Sequence, residues 1–363
     1  MNKLEAAWQT RGFLACLLWP VSWLMHLLVA LRRSGYRWKL TAQKSAKVPV
    51  VVVGNLSVGG TGKSPLTAAL VAQFQEMDWR PGIVARGYGG SAIDSPQKVS
   101  ATSDPKAVGD EPVMLAQATR VPVWVCRDRA AAVAALVSQD QVDIVFSDDG
   151  LQHYRMGRDV EIVVVDEHRG FSNGWLLPAG PLREPLSRLK SVDLIALHRT
   201  TESGELEIPD VVPKGRFHLQ QTDLVPVTGM DTKPGVAPAN QSLAILAGKQ
   251  VNAAAGIGDP ERFFRQLTLA GIQVNKYPKP DHHEWKVEDL MFDNDDPVVI
   301  TSKDAVKVRA LLNNMELNTT VFEVRVKAVL DAELSQGLCV IEERLHNQYR
   351  RPFSGDHRKR SEA

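Results

Sequence analysis

Two short stretches carry the residue types of phosphate chemistry. The first is Gly59-Gly60-Thr61-Gly62-Lys63-Ser64. Glycines let backbone N–H groups turn inward and approach phosphate oxygens with no Cβ in the way. A lysine at that point reaches the β- and γ-phosphates of a nucleoside triphosphate, and the next hydroxyl ligates Mg²⁺. The second stretch is Asp148-Asp149-Gly150, which closes the run Ile144-Val145-Phe146-Ser147. Two carboxylates at the end of a parallel strand lie where such folds hold ligands and metal. The candidate ATP-binding residues are Ser57, Val58, Gly59, Gly60, Thr61, Gly62, Lys63 and Ser64, and the candidate Mg²⁺ ligands are Ser64, Asp148 and Asp149. The generic pattern G-x-x-x-x-G-K-[ST] wants glycine where this chain has Ser57. The rival reading of the first stretch is a glycine-rich turn without ligand, which the strand before it and the helix after it disfavour; the second, taken alone, reads as a solvated Asp-Gly turn. Together they favour phosphate binding.

These residues need elements to position them. Val48–Val53 is a continuous apolar, β-branched run, so it reads as a buried strand. The loop Gly54–Gly62 follows, then a helix from Ser64 to Met77. Strands are expected at Ile83–Ala85, Val121–Cys126, Ile144–Ser147, Ile162–Asp166 and Leu194–His198, with helices between, for example Arg129–Leu136. This alternation argues for a parallel sheet covered on both faces. Across Thr200–Gln241 the pattern gives way to Pro, Gly, Thr and Asp, which suggests a domain boundary. A second alternating set follows. Its strands are Leu243–Ala247, Ile272–Tyr277, Val298–Thr301 and Val321–Val326, and its helices Pro260–Ala270 and Asp304–Leu312. Ala332–Gln348 reads as a last helix and Arg350–Ala363 as a charged, disordered tail. The expected fold is α/β: a P-loop NTPase-like parallel-sheet domain, a second, smaller α/β domain and an N-terminal membrane-associated helix. The expected segments are 1–36 for the helix and basic flank, 37–225 for the P-loop domain, 226–330 for the second domain and 331–363 for the last helix and tail.

The bulk numbers set limits. A chain of 363 residues, 44% hydrophobic and 23% charged, is an ordinary folded protein of about two domains. A net charge of +1 gives no global field for nucleic acid. Cys16, Cys126 and Cys339 are far apart and odd in number, so a disulfide framework or zinc site is not expected. From Gly12 to Leu31 only His26 can carry charge. That run has about the ~20 residues needed to cross a hydrocarbon core. Pro20 and Ser22 weaken it, whereas Trp8, Trp19, Trp23 and Trp38 suit a membrane interface. Arg32, Arg33, Arg37 and Lys39 follow, which puts the rest of the chain on the cytoplasmic side, near anionic lipid. A spanning helix leads; a helix in the interface plane and a buried helix of a soluble fold are the alternatives. No small-x-small site precedes Arg32, which disfavours a cleaved signal peptide.

A sugar or alcohol acceptor also needs a proton acceptor. Asp110 stands in a Gly-Asp-Glu-Pro turn and reads either as that group or as a helix cap. His282 and His283 follow Asp281. A carboxylate partner orients an imidazole and raises its basicity, while an exposed polar loop is the plainer reading. Arg183 and Glu184 lie between prolines, and Arg129 follows the third strand. Such arginines neutralise developing charge, bind a substrate phosphate or form surface ion pairs. Gln152 and His153 lie past the paired aspartates and are candidates to line the site. Tyr88 sits among glycines that allow close approach to a ligand. Lys303, Asp304 and Lys307 either bind nucleotide or start a helix.

At this point the motifs resemble a family. Gly54-Asn55, Gly59–Pro65, Ala85-Arg86-Gly87-Tyr88-Gly89, Gly109-Asp110-Glu111-Pro112, Asp148–His153, Pro178–Pro185, Asp281-His282-His283 and Thr301–Lys307 come in the order of the tetraacyldisaccharide 4′-kinases of Gram-negative bacteria. The likeness runs over roughly residues 48–326. That family also lacks the first glycine of the generic loop, so Ser57 agrees with it. The resemblance implies transfer of the ATP γ-phosphoryl to the 4′-hydroxyl of an acylated glucosamine disaccharide 1-phosphate. It implies Mg²⁺, Asp110 acting with a histidine of the second domain, here His282, and work at the cytoplasmic face of the inner membrane. Inner-membrane lipids are then partners, and no nucleic acid or protein partner is expected. The rival is a membrane-associated ATPase switch of the partition or metal-chaperone type. Those often carry lysine before Gly-Gly-x-Gly-Lys, where this chain has Val58. A nucleotide-sensing module is a third possibility; it needs no meeting of Asp110 and His282.

Overall fold

The computed structural model describes residues 7–38, 40–91, 94–200, 206, 208, 212–227, 241–312 and 319–349. The tail Arg350–Ala363, expected to be disordered, lies outside the described residues, as does Lys39 of the basic flank. In chain order the elements are α1 (Phe13–Arg37), β1 (Val50–Gly54), α2 (Lys63–Glu76), β2 (Pro81–Ala85), β3 (Gln97–Val99), α3 (Pro105–Val108), α4 (Asp110–Thr119), β4 (Val123–Val125), α5 (Arg129–Gln139), β5 (Ile144–Asp148), β6 (Val160–Asp166) and β7 (Leu194–His198). The chain continues through β8 (Lys214–Pro226), β9 (Gln241–Ser242), β10 (Gln250–Ala255), α6 (Pro260–Leu269), β11 (Gln273–Pro278), β12 (Val298–Thr301), α7 (Ser302–Leu312), β13 (Val321–Leu330) and α8 (Ala332–Tyr349).

All the main strands join one sheet in the order β11-β10-β12-β13-β8-β7-β6-β1-β5-β2-β4-β3, with β9 on β8. Two mostly parallel blocks, the first with β3 antiparallel at its edge, meet where β13 runs antiparallel to β8. In the first block β1 lies between β5 and β6, and the strand order reverses there. Every residue of β1, β5 and β6 is buried, as expected of strands covered on both faces. One face is packed by α2 through Leu66, Leu70 and Phe74, the other by α5 through Val133 and Leu136.

The last helix returns to the first block. Leu334, Leu338, Ile341 and Leu345 recur at helical spacing and are buried in the same cluster as Val51, Val53 and Phe74. Trp79 Nε1 donates to Glu342 at 2.9 Å. The chain therefore crosses from the first block to the second along β8 and comes back along β13.

Two sequence expectations need correction. Leu243–Ala247, expected as a strand, forms a 3-10 turn at Leu243–Leu246 whose start is capped by the Ser242 side chain. The strand begins later, at Gln250, and lies between β11 and β12. Its Ala253-Ala254-Ala255 run lacks β-branched residues, so propensity hid it; packing on both faces overrides propensity here. The Thr200–Gln241 stretch, expected to be irregular, contains the 13-residue β8. Its polar residues are tolerated because that strand is only half-buried along much of its length.

The helix α1 is long and apolar enough to cross a membrane by length and composition. Phe13, Leu17, Trp23, Leu24, Leu28 and Leu31 are exposed. One narrow stripe is docked instead. Ala15 is buried, and the buried Ser22 hydroxyl donates to Leu176 O at 2.8 Å and accepts from Ala179 N at 2.9 Å. Near the far end, Tyr36 stacks on Tyr154.

Candidate active site

The phosphate loop leaves β1 at Gly54 and enters α2 at Lys63. Gly62 has φ +86°, and a Cβ there would meet the His198 ring at 2.7 Å, so only glycine fits. Buried Asn55 donates Nδ2 to Thr61 Oγ1 at 3.2 Å and ties the two ends of the loop together. Ser57 bridges to Leu182, Val58 N–H donates to Pro181 O at 2.9 Å, and Arg183 N–H donates to Leu56 O at 2.6 Å. The Pro-Gly-rich segment that carries Arg183 is thereby stitched to the loop. Lys63 Nζ stands 3.7 Å from Asp149 Oδ1.

The register Val53↔Asp148 brings the acidic stretch beside the loop's first residues. Ser64 Oγ donates to Asp148 Oδ2 at 2.8 Å and Thr67 Oγ1 to Oδ1 at 3.0 Å. Burial is the main influence on Asp148 and pushes its carboxyl up to about 6, against the pull of Ser64 and Lys63. A buried carboxylate held by neutral hydroxyls, with a second carboxylate next to it, is a hard oxygen donor set that fits Mg²⁺. Asp149 has φ +48°, a left-handed conformation that turns its side chain off the strand line. Burial raises it, but Lys63 and Arg183 outweigh burial and hold its carboxyl below the usual range. Arg183 Nη1 donates to both Asp149 oxygens at 3.2 Å.

Several candidates turn out to brace the site from inside. Arg129 is buried, not on the surface; it donates to Cys126 O at 3.2 Å and Asp148 O at 3.3 Å. Burial brings its guanidinium down to about 10. Glu184 is 1% exposed, so its carboxylate faces into the protein rather than a cleft. It accepts from Tyr154 Oη and from Gln152 Nε2 at 3.0 Å, while Gln152 also donates to Asn55 O at 3.2 Å. His153 is lowered to about 4, first by burial and then by the charges of Arg129 and Arg86, so it is neutral at neutral pH. It lines a cavity of about 380 Å³ with Arg32, Tyr36, Arg127, Arg129 and Arg155, between the end of α1 and the start of α5.

The second block closes over the loop. A Cβ on Gly258 would stand 4.0 Å from the Gly60 nitrogen. His282 Nδ1 lies 3.3 Å from Asp110 Oδ2, and the Tyr88 ring packs 5.3 Å from the His282 ring. Asp110 is not the helix cap; Gly109 holds that position and Asp110 begins α4. Its carboxylate is buried and also faces Lys307 Nζ at 3.1 Å. Burial raises Asp110, but the ammonium groups of Lys303 and Lys307, with His282, hold it below the usual carboxylate range. His282 has φ +59°, a strained backbone of the kind that recurs at functional loops. His283 points elsewhere, 2.8 Å from Asp289, so of the two histidines His282 faces Asp110.

Lys303, Asp304 and Lys307, expected either to bind nucleotide or to start a helix, lie on α7 beside the Asp110–His282 pair. Lys303 Nζ reaches Asp281 at 3.2 Å and Glu111 at 3.7 Å, next to the Lys307–Asp110 pair. The four-residue spacing of the lysines, which puts both on one helix face, was the available signal. Buried Asp304 accepts from Gly256 N at 3.0 Å, Trp285 Nε1 at 3.0 Å and Thr301 Oγ1 at 2.7 Å. It thus fixes both loops of the second block that face the first.

A phosphate loop on a parallel sheet, an acidic strand end beside it and an Asp–His pair across the cleft define a P-loop phosphotransferase. Residues 14–341 match the family described as tetraacyldisaccharide-1-P 4′-kinase. The tetraacyldisaccharide 4′-kinase of Psychrobacter arcticus is 41% identical over 88% of this chain and 84% of its own length. That of Azoarcus sp. is 48% identical over 85% and 87%. A solved structure of LpxK from Aquifex aeolicus in complex with ATP superposes with a TM-score of 0.76 and 26% identity, covering 91% of this chain and 99% of that one. The chain belongs to the tetraacyldisaccharide-1-P 4′-kinase family. It is a kinase, and the ATPase-switch alternative is not favoured.

Proposed function

We propose that this chain transfers the γ-phosphoryl of ATP to the 4′-hydroxyl of a tetraacylated glucosamine disaccharide 1-phosphate. The observation that carries the reading is the Asp110–His282 pair, 3.3 Å apart and supplied from two sides of the cleft. A switch ATPase has no use for it, whereas an alcohol acceptor does. As the sugar oxygen bonds to phosphorus, its proton passes to this pair and ADP departs. Lys63 binds the β- and γ-phosphates, and the loop N–H groups orient them. Ser64, Asp148 and Asp149 are the groups that would hold Mg²⁺, which when bound neutralises phosphate charge. Arg183 approaches the reacting phosphate from the loop stitched to Leu56 and Ser57. Tyr88 holds the His282 ring.

The 380 Å³ cavity supports the substrate class. Four arginines line it against two aspartates, and Arg129 reaches from it to the carbonyl of Asp148. Phosphorylated sugar is the natural occupant of such a site. The exposed apolar faces of α1 support attachment to the inner membrane from the cytoplasmic side. The helix is held near its start, at Ser22 and at Tyr36, so we read it as lying in the interface along the P-loop unit rather than crossing. A tag at residue 1 should then be accessible from the same side as a tag at the other end; access from opposite sides would establish a spanning helix. With this goes a division of labour at residues 225/226, nucleotide on one side and His282 on the other.

The test uses the full chain in detergent, γ-labelled ATP and the disaccharide 1-phosphate lipid. Label should appear in the lipid and depend on it. Hydrolysis of ATP with no label in the lipid would sink the proposal.

A further inference from the structure

The buried imidazole of His198 has no part in the chemistry above, yet it touches the phosphate loop. It stands at the end of β7, fully buried and stacked on Phe217 at 4.6 Å. Its Nδ1 lies 2.9 Å from the carbonyl oxygen of Thr61, and its ring fills the space a side chain at Gly62 would need. From the second block, Arg262 of α6 contacts His198 Nε2 and reaches Asp166 Oδ2 at 3.5 Å. A guanidinium only donates, so Nε2 must accept, and the ring proton must sit on Nδ1, pointing at Thr61 O. The ring is neutral: burial, and then the Arg262 charge, lower His198 to about 4. Donors therefore run in one direction, from Arg262 to His198 to Thr61.

We propose that Arg262 and His198 are positioning residues that couple the seating of the second block to the shape of the phosphate loop. The carbonyl of Thr61 must point away from the bound phosphates for the neighbouring N–H groups to point toward them. His198 holds it there, and Arg262 fixes the imidazole that does so. The loop is then set for ATP when α6 is docked. Asp166, at the end of β6, orients Arg262 from the other side. The inference rests on the reading of Gly59–Ser64 as the ATP site.

The experiment measures ATP affinity by calorimetry, and KM for ATP and for lipid separately, on the full chain in detergent. Arg262→Met should weaken ATP binding about tenfold, as expected for a lost charge-assisted contact, with lipid KM unchanged. His198→Asn keeps a donor where Nδ1 was, so it should bind ATP within about threefold of the parent. On that background Arg262→Met should have no further effect, because the donor to Thr61 is then an amide that does not need Arg262 to fix its proton. Unchanged ATP affinity in Arg262→Met overturns the coupling, and so does an equal rise in both KM values. Lys63→Ala separates the two failures. If it binds ATP normally, the site reading itself is wrong; if it does not while Arg262→Met does, only the coupling fails.

Discussion

Asp110 faces an unusual number of basic side chains for a group that takes a proton. Lys307 stands 3.1 Å away and His282 3.3 Å, with Lys303 beside them on Glu111 and Asp281. These charges keep it ionised, and a base must be ionised to act. Removing one has a definite sign. In Lys307→Met the carboxyl rises toward its ordinary value, so the acid limb of the kcat/KM profile should move to higher pH, with the alkaline side unchanged. A limb that stays in place would separate Asp110 from the rate. Lys63→Ala and Asp148→Ala should each lower transfer by about a hundredfold or more while thermal melting persists. Near-normal turnover in either would remove that residue from the site. Much of this was legible beforehand. The meeting of Lys63 and Ser64 with Asp148 and Asp149 was expected from the two stretches read together, because a phosphate loop needs an acidic strand end beside it. Lys303 and Lys307 were legible only as nucleotide-binding candidates or a helix start, because Asp110 and Glu111, which they face, are distant in sequence. Arg129 and Glu184 were legible as present but not as buried.

Elements were read well where the pattern is strong and poorly where packing overrides it. The β-branched runs of β1 and β6 and the apolar run of β7 announced themselves. The alanine-rich β10 and the polar β8 did not, since neither has the alternation or branching that marks a strand. The helix α8 was legible as a helix but not as part of the first block. Leu338 is fully buried against that core, with Gly337 next to it packed on Leu194. Leu338→Ala should cost about 2–5 kcal/mol of stability, read as a lower urea midpoint at unchanged slope. An unchanged midpoint would mean that α8 is dispensable to the P-loop unit.

At the scale of the molecule, two strands connect the blocks, and β8 and β13 shift register between Val324 and Val326. Ion pairs span the cleft, Lys303 with Glu111, Lys307 with Asp110 and Arg262 with Asp166, beside Val306 of α7, which is buried in the first block's cluster. Such contacts suit a joint that opens and closes. Hydrogen exchange along β8 and β13 should slow when ATP and lipid are both present. Identical protection with and without them would argue for a fixed cleft.

The return of α8 to the first core also orders events during synthesis. The β1–β7 block is made first, but one side of its core stays open until residues 332–349 leave the ribosome. The usual order, in which an early domain folds while a later one is still being made, is closed to this chain. The first block therefore cannot be finished before the second has been made. Until then the apolar faces of β6 and β7 and of α1 are exposed together, and a nearby membrane or a chaperone is the place for them to wait.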